Sequence, residues 1–224
     1  MITEATFVRS AASANDLPRD GLAEIAMVGR SNVGKSTLIN ALTRQRVART
    51  SAAPGKTRLA NIYRVVRGGR DPLYLVDLPG YGYARGGDDS ATELAAVARA
   101  YFEHRDSRFA SRGSDDADDS TNRESRTANR GGERTNQATL LLIDSRHPGL
   151  DLDLDAHRWL TTVAGPPQIV ATKVDKLSRS DRVRNLKELE RVFGCAPLPV
   201  SAAGGEGLDE LWRLIAKVAR EQRQ

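Results

Sequence analysis

The segment GRSNVGKST, residues 29 to 37, constrains the fold of this chain more than any other feature of the sequence. It has the spacing GxxxxGKS and lies between an apolar run of strand length and a helical pattern. In that position the spacing is typical of a phosphate-binding loop, because its backbone N–H groups surround phosphate oxygens at the start of a helix. The alternative is a glycine-rich turn with an exposed lysine, which the flanking strand and helix disfavour.

The rest of the chain alternates apolar runs of strand length with helical patterns. This alternation predicts an α/β fold with a mostly parallel six-stranded sheet, one antiparallel strand, and helices on both faces. The predicted strands are Ile25–Val28, Leu59–Val66, Leu73–Asp77, Thr139–Asp144, Gln168–Thr172 and Leu198–Ser201. The predicted helices cover about 35–43, 91–104, 151–163, 180–193 and 207–220, and the apolar spacing of the last one places Trp212 in the core.

One long segment departs from this alternation. Residues 111–137 contain no Val, Ile, Leu, Met, Phe, Trp or Tyr, so they cannot bury enough apolar surface to offset the entropy of ordering. We therefore predict a main domain over 23–224, preceded by an N-terminal extension over 1–22 and interrupted by a disordered insert at 106–137. The insert precedes a strand, which places it at the sheet end opposite the phosphate loop.

Residues of two further segments are suited to the phosphate side of a nucleotide site. In the phosphate loop, Lys35 would neutralise the outer phosphates and Ser36 would bind Mg²⁺. In DLPG, Asp77 would hold Mg²⁺ through water and the Gly80 N–H would meet a γ-phosphate. Thr57, in the small-residue segment TSAAPGKTRL, would supply a second hydroxyl to Mg²⁺, although a loop threonine is often only solvated.

The segment ATKVDK, residues 171 to 176, selects the base. The Asp175 carboxylate can accept from guanine N1–H and the 2-amino group together, and adenine offers neither donor in that place. The stem of Lys173 would cover the ring, and the backbone of Val200–Ala202 would contact the guanine oxygen. Because these pieces follow successive strands in the right order, the sequence predicts GTP binding and opposes an ATP-dependent kinase.

Composition adds only coarse limits. The formal net charge of +5 over 224 residues weakly favours an anionic partner such as RNA. A single cysteine, Cys195, fits a reducing compartment, and neither a signal peptide nor a transmembrane run is visible. We expect a soluble, cytoplasmic protein without a membrane partner.

The motifs together resemble a known family. The segments EIAMVGRSNVGKSTLINALT, ARTSAAPGKT, LVDLPGYGYA, IDSRHPGLDLD, TKVDKLSR and SAAGGEGLDELW are similar to those of the EngB (YihA/YsxC) GTPases of the TRAFAC class, in the superfamily of Era, TrmE and EngA. The resemblance implies a P-loop G domain, Mg²⁺-dependent GTP binding, slow hydrolysis to GDP and phosphate, and a monomer. It also implies a role in assembly of the large ribosomal subunit, through that subunit or its rRNA, linked to normal cell division and septation. Two departures are Ala53 before Pro-Gly, and an insert longer than is usual for the family.

The candidate residues follow from the motifs and the resemblance. Those expected to contribute to catalysis are Lys35, Asn32, Thr57 and Gly80, and those expected to bind metal are Ser36, Thr57 and Asp77. The expected nucleotide-binding residues are Gly29, Arg30, Ser31, Asn32, Val33, Gly34, Lys35, Ser36, Gly55, Lys56, Thr57, Arg58, Leu59, Asp77, Leu78, Pro79, Gly80, Thr172, Lys173, Val174, Asp175, Val200, Ser201 and Ala202.

Asn32 stands in the middle of a loop that has no evident use for a carboxamide. Its carbonyl is a good ligand for a monovalent cation, and the resemblance adds that related GTPases with Asn at this position are stimulated in this way. A K⁺ ion held there would stabilise charge developing between the β- and γ-phosphates. The alternative is that Asn32 braces the loop by hydrogen-bonding its own backbone.

Several interpretations stay open at this level. The position after DLPG is Tyr81 rather than a glutamine able to orient water, which adds weight to a GTP-dependent binding module with negligible intrinsic hydrolysis. Tyr81 and Tyr83 would either meet a partner or pack the loop that carries them. The basic residues of the last helix, Arg213, Lys217, Arg220 and Arg223, would either touch rRNA or form a solvated face.

Overall fold

One seven-stranded sheet organises the protein in a computed structural model that describes residues 3–49, 59–82, 96–102 and 137–221. The strands lie in the order β1-β3-β4-β2-β5-β6-β7. In chain order the described elements are β1 (Thr3–Ala11), β2 (Ala23–Gly29), α1 (Lys35–Thr43), β3 (Ala60–Arg67), β4 (Leu73–Asp77), the part of α2 at 96–102, β5 (Gln137–Asp144), α3 (Asp151–Ala164), β6 (Gln168–Thr172), α4 (Arg179–Phe193), β7 (Leu198–Pro199) and α5 (Leu208–Glu221). Short 3-10 helices cover Ala14–Asp16 and Val174–Lys176.

Strand directions agree with the predicted fold class. Pairing is parallel between β2 and β4, β2 and β5, β5 and β6, and β6 and β7. Only β3 runs against its neighbours, since it pairs antiparallel with both β1 and β4. A mostly parallel sheet with one antiparallel strand is therefore confirmed, and the carboxyl ends of β2, β4, β5 and β6 meet along one edge.

The predicted number of strands is wrong, because β1 lies in a segment that the sequence assigns to an N-terminal extension. Thr3 pairs with Arg67 and Ala11 with Ala60 along the antiparallel ladder, with an irregularity between Phe7 and Arg9. An edge strand needs few large apolar residues: the inward side chains are small, and Phe7 is 52% exposed. The irregularity also breaks the alternation by which such strands are recognised.

The core lies on both faces of the sheet. The first cluster packs α1 and α5 against the sheet through residues such as Leu38, Leu42, Leu211 and Trp212. On the other face, α2, α3 and α4 contribute Tyr101, Phe102, Leu160, Leu189 and Phe193. The predicted core position of Trp212 is confirmed, and its indole N–H donates to the Leu42 carbonyl at 3.0 Å.

Helix boundaries follow local chemistry. Ser178 caps α4 by accepting from the Asp181 N–H at 3.2 Å, and Gly194 ends it in a left-handed conformation, with φ of 70°.

In the described ranges, none of the helices is both long and apolar enough to cross a bilayer. The predicted insert at 106–137 falls outside the described residues, except that Gln137 begins β5.

Candidate functional site

The phosphate loop connects β2 to α1 in a conformation that its sequence makes possible. Gly34 has φ of 109°, which L side chains rarely adopt, and Asn32 is left-handed with φ of 63°. The Val33 N–H donates to the Arg30 carbonyl at 3.1 Å, which closes the turn before the helix. The first amides of α1 have no partner within the helix, so this end of the loop is suited to binding an anion.

Lys35, Ser36 and Asp77 lie together beneath this loop. Lys35 is buried and its Nζ donates to the Gly29 carbonyl at 3.2 Å, while the Ser36 hydroxyl donates to Asp77 Oδ2 at 3.0 Å. Burial lowers the pKa of Lys35, and the Asp77 carboxylate opposes that change. Burial raises the pKa of Asp77 against the effects of Lys35 and Ser36. The interactions among these three side chains therefore do not fully offset the cost of burying the two charges.

The donor set of this group fits a hard divalent cation. Asp77 Oδ1 is buried and accepts no hydrogen bond from the residues that the structure describes. An unsatisfied carboxylate oxygen beside a serine hydroxyl is the kind of ligand pair that Mg²⁺ uses together with phosphate and water. Across the described ranges, no group of three or more His, Cys, Asp or Glu side chains could hold a metal ion.

Asp175 and Ser201 form the opposite end of the site. Ser201 Oγ donates to Asp175 Oδ1 at 2.7 Å, and this hydrogen bond lowers the pKa of Asp175. The Val174 N–H donates to the Val200 carbonyl at 3.4 Å, and the Val200 N–H donates to the Ala171 carbonyl at 2.8 Å. The two segments predicted to read guanine are therefore fixed to each other and to β6.

Lys173 joins the end of the site that contains Asp175 to the phosphate loop. Its Nζ donates to the Asn32 carbonyl at 2.5 Å and to Asp144 Oδ2 at 2.9 Å. Thr172 adds a second link, since its hydroxyl donates to the Val33 carbonyl at 2.9 Å. The Lys173 side chain therefore reaches from the end of β6 to the phosphate loop.

Asp144 and Arg146 are site residues that the motif analysis missed. Burial would raise the pKa of Asp144, but hydrogen bonds from Arg146 and Lys173 outweigh it and hold the pKa far below its usual range. Arg146 contacts both carboxylate oxygens, with Nε at 2.9 Å and Nη2 at 2.7 Å. A usable signal existed, because Asp144 ends the buried apolar strand β5 at the edge where the other motifs lie.

The remaining predicted residues divide into two groups. Leu78, Val174 and Val200 are buried in the core, so only their backbone groups are available to a ligand, and Leu59, the residue before β3, is 38% exposed. Gly55, Lys56, Thr57 and Arg58 lie outside the described residues, as do Ala53 and Tyr83.

Comparisons with known proteins agree with this geometry. A family model described as 50S ribosome-binding GTPase matches residues 24–173. A probable GTP-binding protein EngB from Solibacter usitatus is 39% identical over 213 residues, covering 95% of this chain and 94% of the relative. The corresponding protein from Thermotoga maritima is 34% identical over 99% of both chains.

Solved structures show the same fold at lower identity. A crystal structure of a probable GTP-binding protein engB has a TM-score of 0.60 at 22% identity and covers 89% of this chain and 100% of that one. Era from Aquifex aeolicus bound to GDP.AlF4- has a TM-score of 0.65 at 22% identity and covers 88% of this chain and 56% of that one. The fold is thus that of the P-loop GTPases. The family match and the full-length relatives show that the chain belongs to the EngB GTP-binding proteins, within the 50S ribosome-binding GTPase family, and that it is a GTPase.

Proposed function

We propose that this GTPase is a slow, Mg²⁺-dependent switch in assembly of the large ribosomal subunit, needed for normal cell division and septation. The ribosomal part of the proposal rests on the match to the 50S ribosome-binding GTPase family. The observation that carries its guanine specificity is the position of Asp175. Fixed by Ser201 at 2.7 Å, its carboxylate stands at the same sheet edge as the phosphate loop. A rigid acceptor there selects a base with two adjacent donors, which is guanine.

The residues at this edge divide the work. The amides at the start of α1 and the Lys35 ammonium bind the phosphates, while Lys173 covers the base and Asp175 with Val200–Ala202 reads its edge. Ser36 and Asp77 would hold Mg²⁺, and Thr57 is assigned to the same ion. Bound Mg²⁺ neutralises charge on the β- and γ-phosphates. The residues 55–58 are assigned to the same nucleotide site.

The residue after DLPG supports the proposal of a slow rate. The Tyr81 hydroxyl donates to Asp153 Oδ1 at 2.8 Å, so its proton is already engaged. Burial raises the pKa of Tyr81, with the Asp153 carboxylate adding to the effect, which leaves the phenol unsuited to accept a proton from water. The competing proposal is a GTP-dependent binding module with negligible intrinsic hydrolysis. Multiple-turnover phosphate release with and without ribosomal subunits separates the two.

K⁺ would supply the stabilisation that the missing glutamine does not. Asn32 is exposed, and its side chain forms no hydrogen bond within the described part of the chain. The loop-brace alternative therefore gains no support. The side-chain carbonyl of Asn32, unlike its backbone carbonyl, which accepts from Lys173, is available to a cation beside the phosphates. We expect KCl to accelerate hydrolysis relative to NaCl in the wild type but not in Asn32→Ala. Equal rates in both salts for the wild type would remove K⁺ from the mechanism.

The ribosomal role is tested by co-sedimentation. Protein held with a nonhydrolysable GTP analogue should pellet with isolated 50S subunits, and protein held with GDP should not. The 30S subunit is a necessary second arm, because an Era structure contains nucleotides of 16S ribosomal RNA. Binding to 30S alone, or to neither subunit, contradicts the proposal.

The link to septation is tested by the order of events after depletion. Large-subunit precursors should accumulate in sucrose gradients of cytoplasmic extracts before division sites are lost.

The α5 residues give little support to an RNA contact there. Arg213 Nη2 is paired with Glu210 Oε1 at 2.7 Å, and Lys217 Nζ lies 3.9 Å from Glu221 Oε1, so that face has mixed charge.

A further inference from the structure

Asp153 is a buried carboxylate that none of the nucleotide motifs contains. Its exposed fraction is 0%, and it lies in the first turn of α3. Arg30 Nε donates to Oδ1 at 3.1 Å and to Oδ2 at 3.2 Å, and the Tyr81 hydroxyl donates to Oδ1 at 2.8 Å. A buried carboxylate is costly without such partners, so the geometry of these three side chains is strongly fixed.

The two partners of Asp153 belong to the two motifs that meet the phosphates. Arg30 follows the first glycine of the phosphate loop, and Tyr81 follows the last residue of DLPG. Their backbones also pair, since Arg30 and Tyr81 form a parallel bridge and the Ser31 N–H donates to the Tyr81 carbonyl at 3.0 Å. One carboxylate on α3 thus holds the DLPG segment against the phosphate loop.

Gly80 lies at the closest point of this contact. A Cβ at this position would stand 2.9 Å from Ser31 N, closer than real Cβ atoms come, and 3.0 Å from Ser31 Cα, which is tighter than most Cβ contacts. The Ser31 hydroxyl also donates to the Gly80 carbonyl at 3.4 Å. The DLPG segment therefore approaches the phosphate loop too closely for a side chain at Gly80, next to the residue, Tyr81, that Asp153 binds.

We infer that Asp153 is a positioning residue that sets the Gly80 N–H for the third phosphate, and so sets how well the protein distinguishes GTP from GDP. The inference depends on GTP binding and hydrolysis, which family membership shows, and not on the ribosomal role. Loss of ribosome association would leave it standing. A purely structural Asp153 would support α3 packing and affect both nucleotides alike.

The test compares affinities for GDP and a nonhydrolysable GTP analogue at matched Mg²⁺ in Asp153→Asn, Tyr81→Phe and the double variant. Each single variant weakens one hydrogen-bonded link to the carboxylate. We expect about a five- to tenfold loss of affinity for the analogue, as for removal of one ordinary hydrogen bond, with GDP affinity within about twofold. The double variant should bind the analogue as tightly as the more impaired of the two single variants, because both changes break the same connection between Asp153 and Tyr81. Single-turnover hydrolysis should fall with analogue affinity.

Tyr74→Phe is the matched control. The Tyr74 hydroxyl donates to Asp20 Oδ2 at 2.6 Å, a bond of the same type on β4 but away from the phosphate loop. Its ratio of analogue to GDP affinity should equal that of the wild type. Equal losses for both nucleotides, an unchanged ratio, or additive effects in the double variant would each overturn the inference. If Asp153→Asn folds poorly, the ratio in Tyr81→Phe, which keeps the ring, decides alone.

Discussion

The site has a base end, formed by Asp144, Asp175 and Ser201, and a phosphate end, formed by Lys35, Ser36 and Asp77. The two ends are built from the same kinds of side chain but differ in how completely those side chains are paired. At the base end, Asp175 accepts from Ser201 and Asp144 accepts from Arg146 and Lys173, and the pKa of each carboxyl lies below its usual range. At the phosphate end, burial raises the pKa of Asp77 and lowers that of Lys35. Protein groups stabilise the ionised carboxylates at the base end, and burial opposes both charges at the phosphate end.

This difference indicates which part of the site is already formed before the nucleotide binds. A base reader with satisfied hydrogen bonds keeps its geometry without nucleotide, so specificity needs little reorganisation. A buried cation and carboxylate that are not fully compensated gain most when phosphate and Mg²⁺ arrive. Ligand binding should therefore stabilise the phosphate end more than the base end.

The largest expected effect removes the acceptor at the base end. Asp175→Asn should exchange a guanine preference for a xanthine preference, because an amide offers a donor to the 2-oxo group of xanthine. Discrimination can change by as much as ~10⁴-fold when such groups lose their partners. Competition binding with GDP and XDP measures it. The fold is expected to survive, since the amide oxygen can still accept from Ser201 Oγ, and unchanged guanine affinity would show that the end is not a base reader.

The next effect weakens the phosphate end. Ser36→Ala should raise the Mg²⁺ concentration needed for tight GTP binding by about 10- to 100-fold, since losing a ligand should cost at least as much as losing a group that orients one. Affinity measured across a Mg²⁺ titration tests this. Ser178→Ala, which removes the α4 cap instead, should leave the Mg²⁺ dependence as in the wild type. An identical titration for Ser36→Ala would mean that this hydroxyl has no metal role.

A smaller effect tests the pairing of Asp144 through stability. Because the folded pKa of Asp144 is depressed, its contribution is present above the unfolded pKa of about 3.9 and is lost as pH falls toward the folded pKa. Arg146→Ala should cost about 1 kcal/mol at pH 7, since the arginine is partly exposed, and progressively less below about pH 4. Urea unfolding across pH measures it. Arg158→Ala, which breaks the exposed pair with Asp155, should cost less at every pH, and a pH-independent loss in Arg146→Ala would contradict the assigned pairing.

The smallest effect concerns neither end. Replacing 111–136 with a short Gly/Ser linker, which spares the first residue of β5, should leave nucleotide affinity and intrinsic hydrolysis within about twofold, because loop-closure entropy changes slowly with length. The connection enters β5 at the sheet end remote from the phosphate loop. A tenfold loss in a folded variant would mean that the segment reaches one end of the site.

Sequence reasoning reached the residues whose motifs have fixed spacing and follow buried strands. Lys35, Asp77 and Asp175 follow or end strands whose apolar runs are unmistakable, so their placement on one edge could be predicted. Strand β1 could not be predicted, because an edge strand with small inward residues leaves little apolar pattern. The role of Asp153 could not be predicted either, because an acidic residue in the first turn of a helix is common. Only the tertiary structure brings it to Arg30 and Tyr81.

Amide hydrogen exchange in the free protein and in its Mg²⁺–GDP complex tests the contrast between the two ends most directly. The amides of Val174, Ser201 and Gly205 donate to the carbonyls of Val200, Glu206 and Ser201 respectively, so they should exchange slowly in both states. Amides 34–37, which lack partners within α1, should exchange fast in the free protein and become strongly protected with nucleotide. The account predicts a large change confined to the phosphate end. Fast exchange at Val174 and Ser201 that slows only when nucleotide is bound would contradict it.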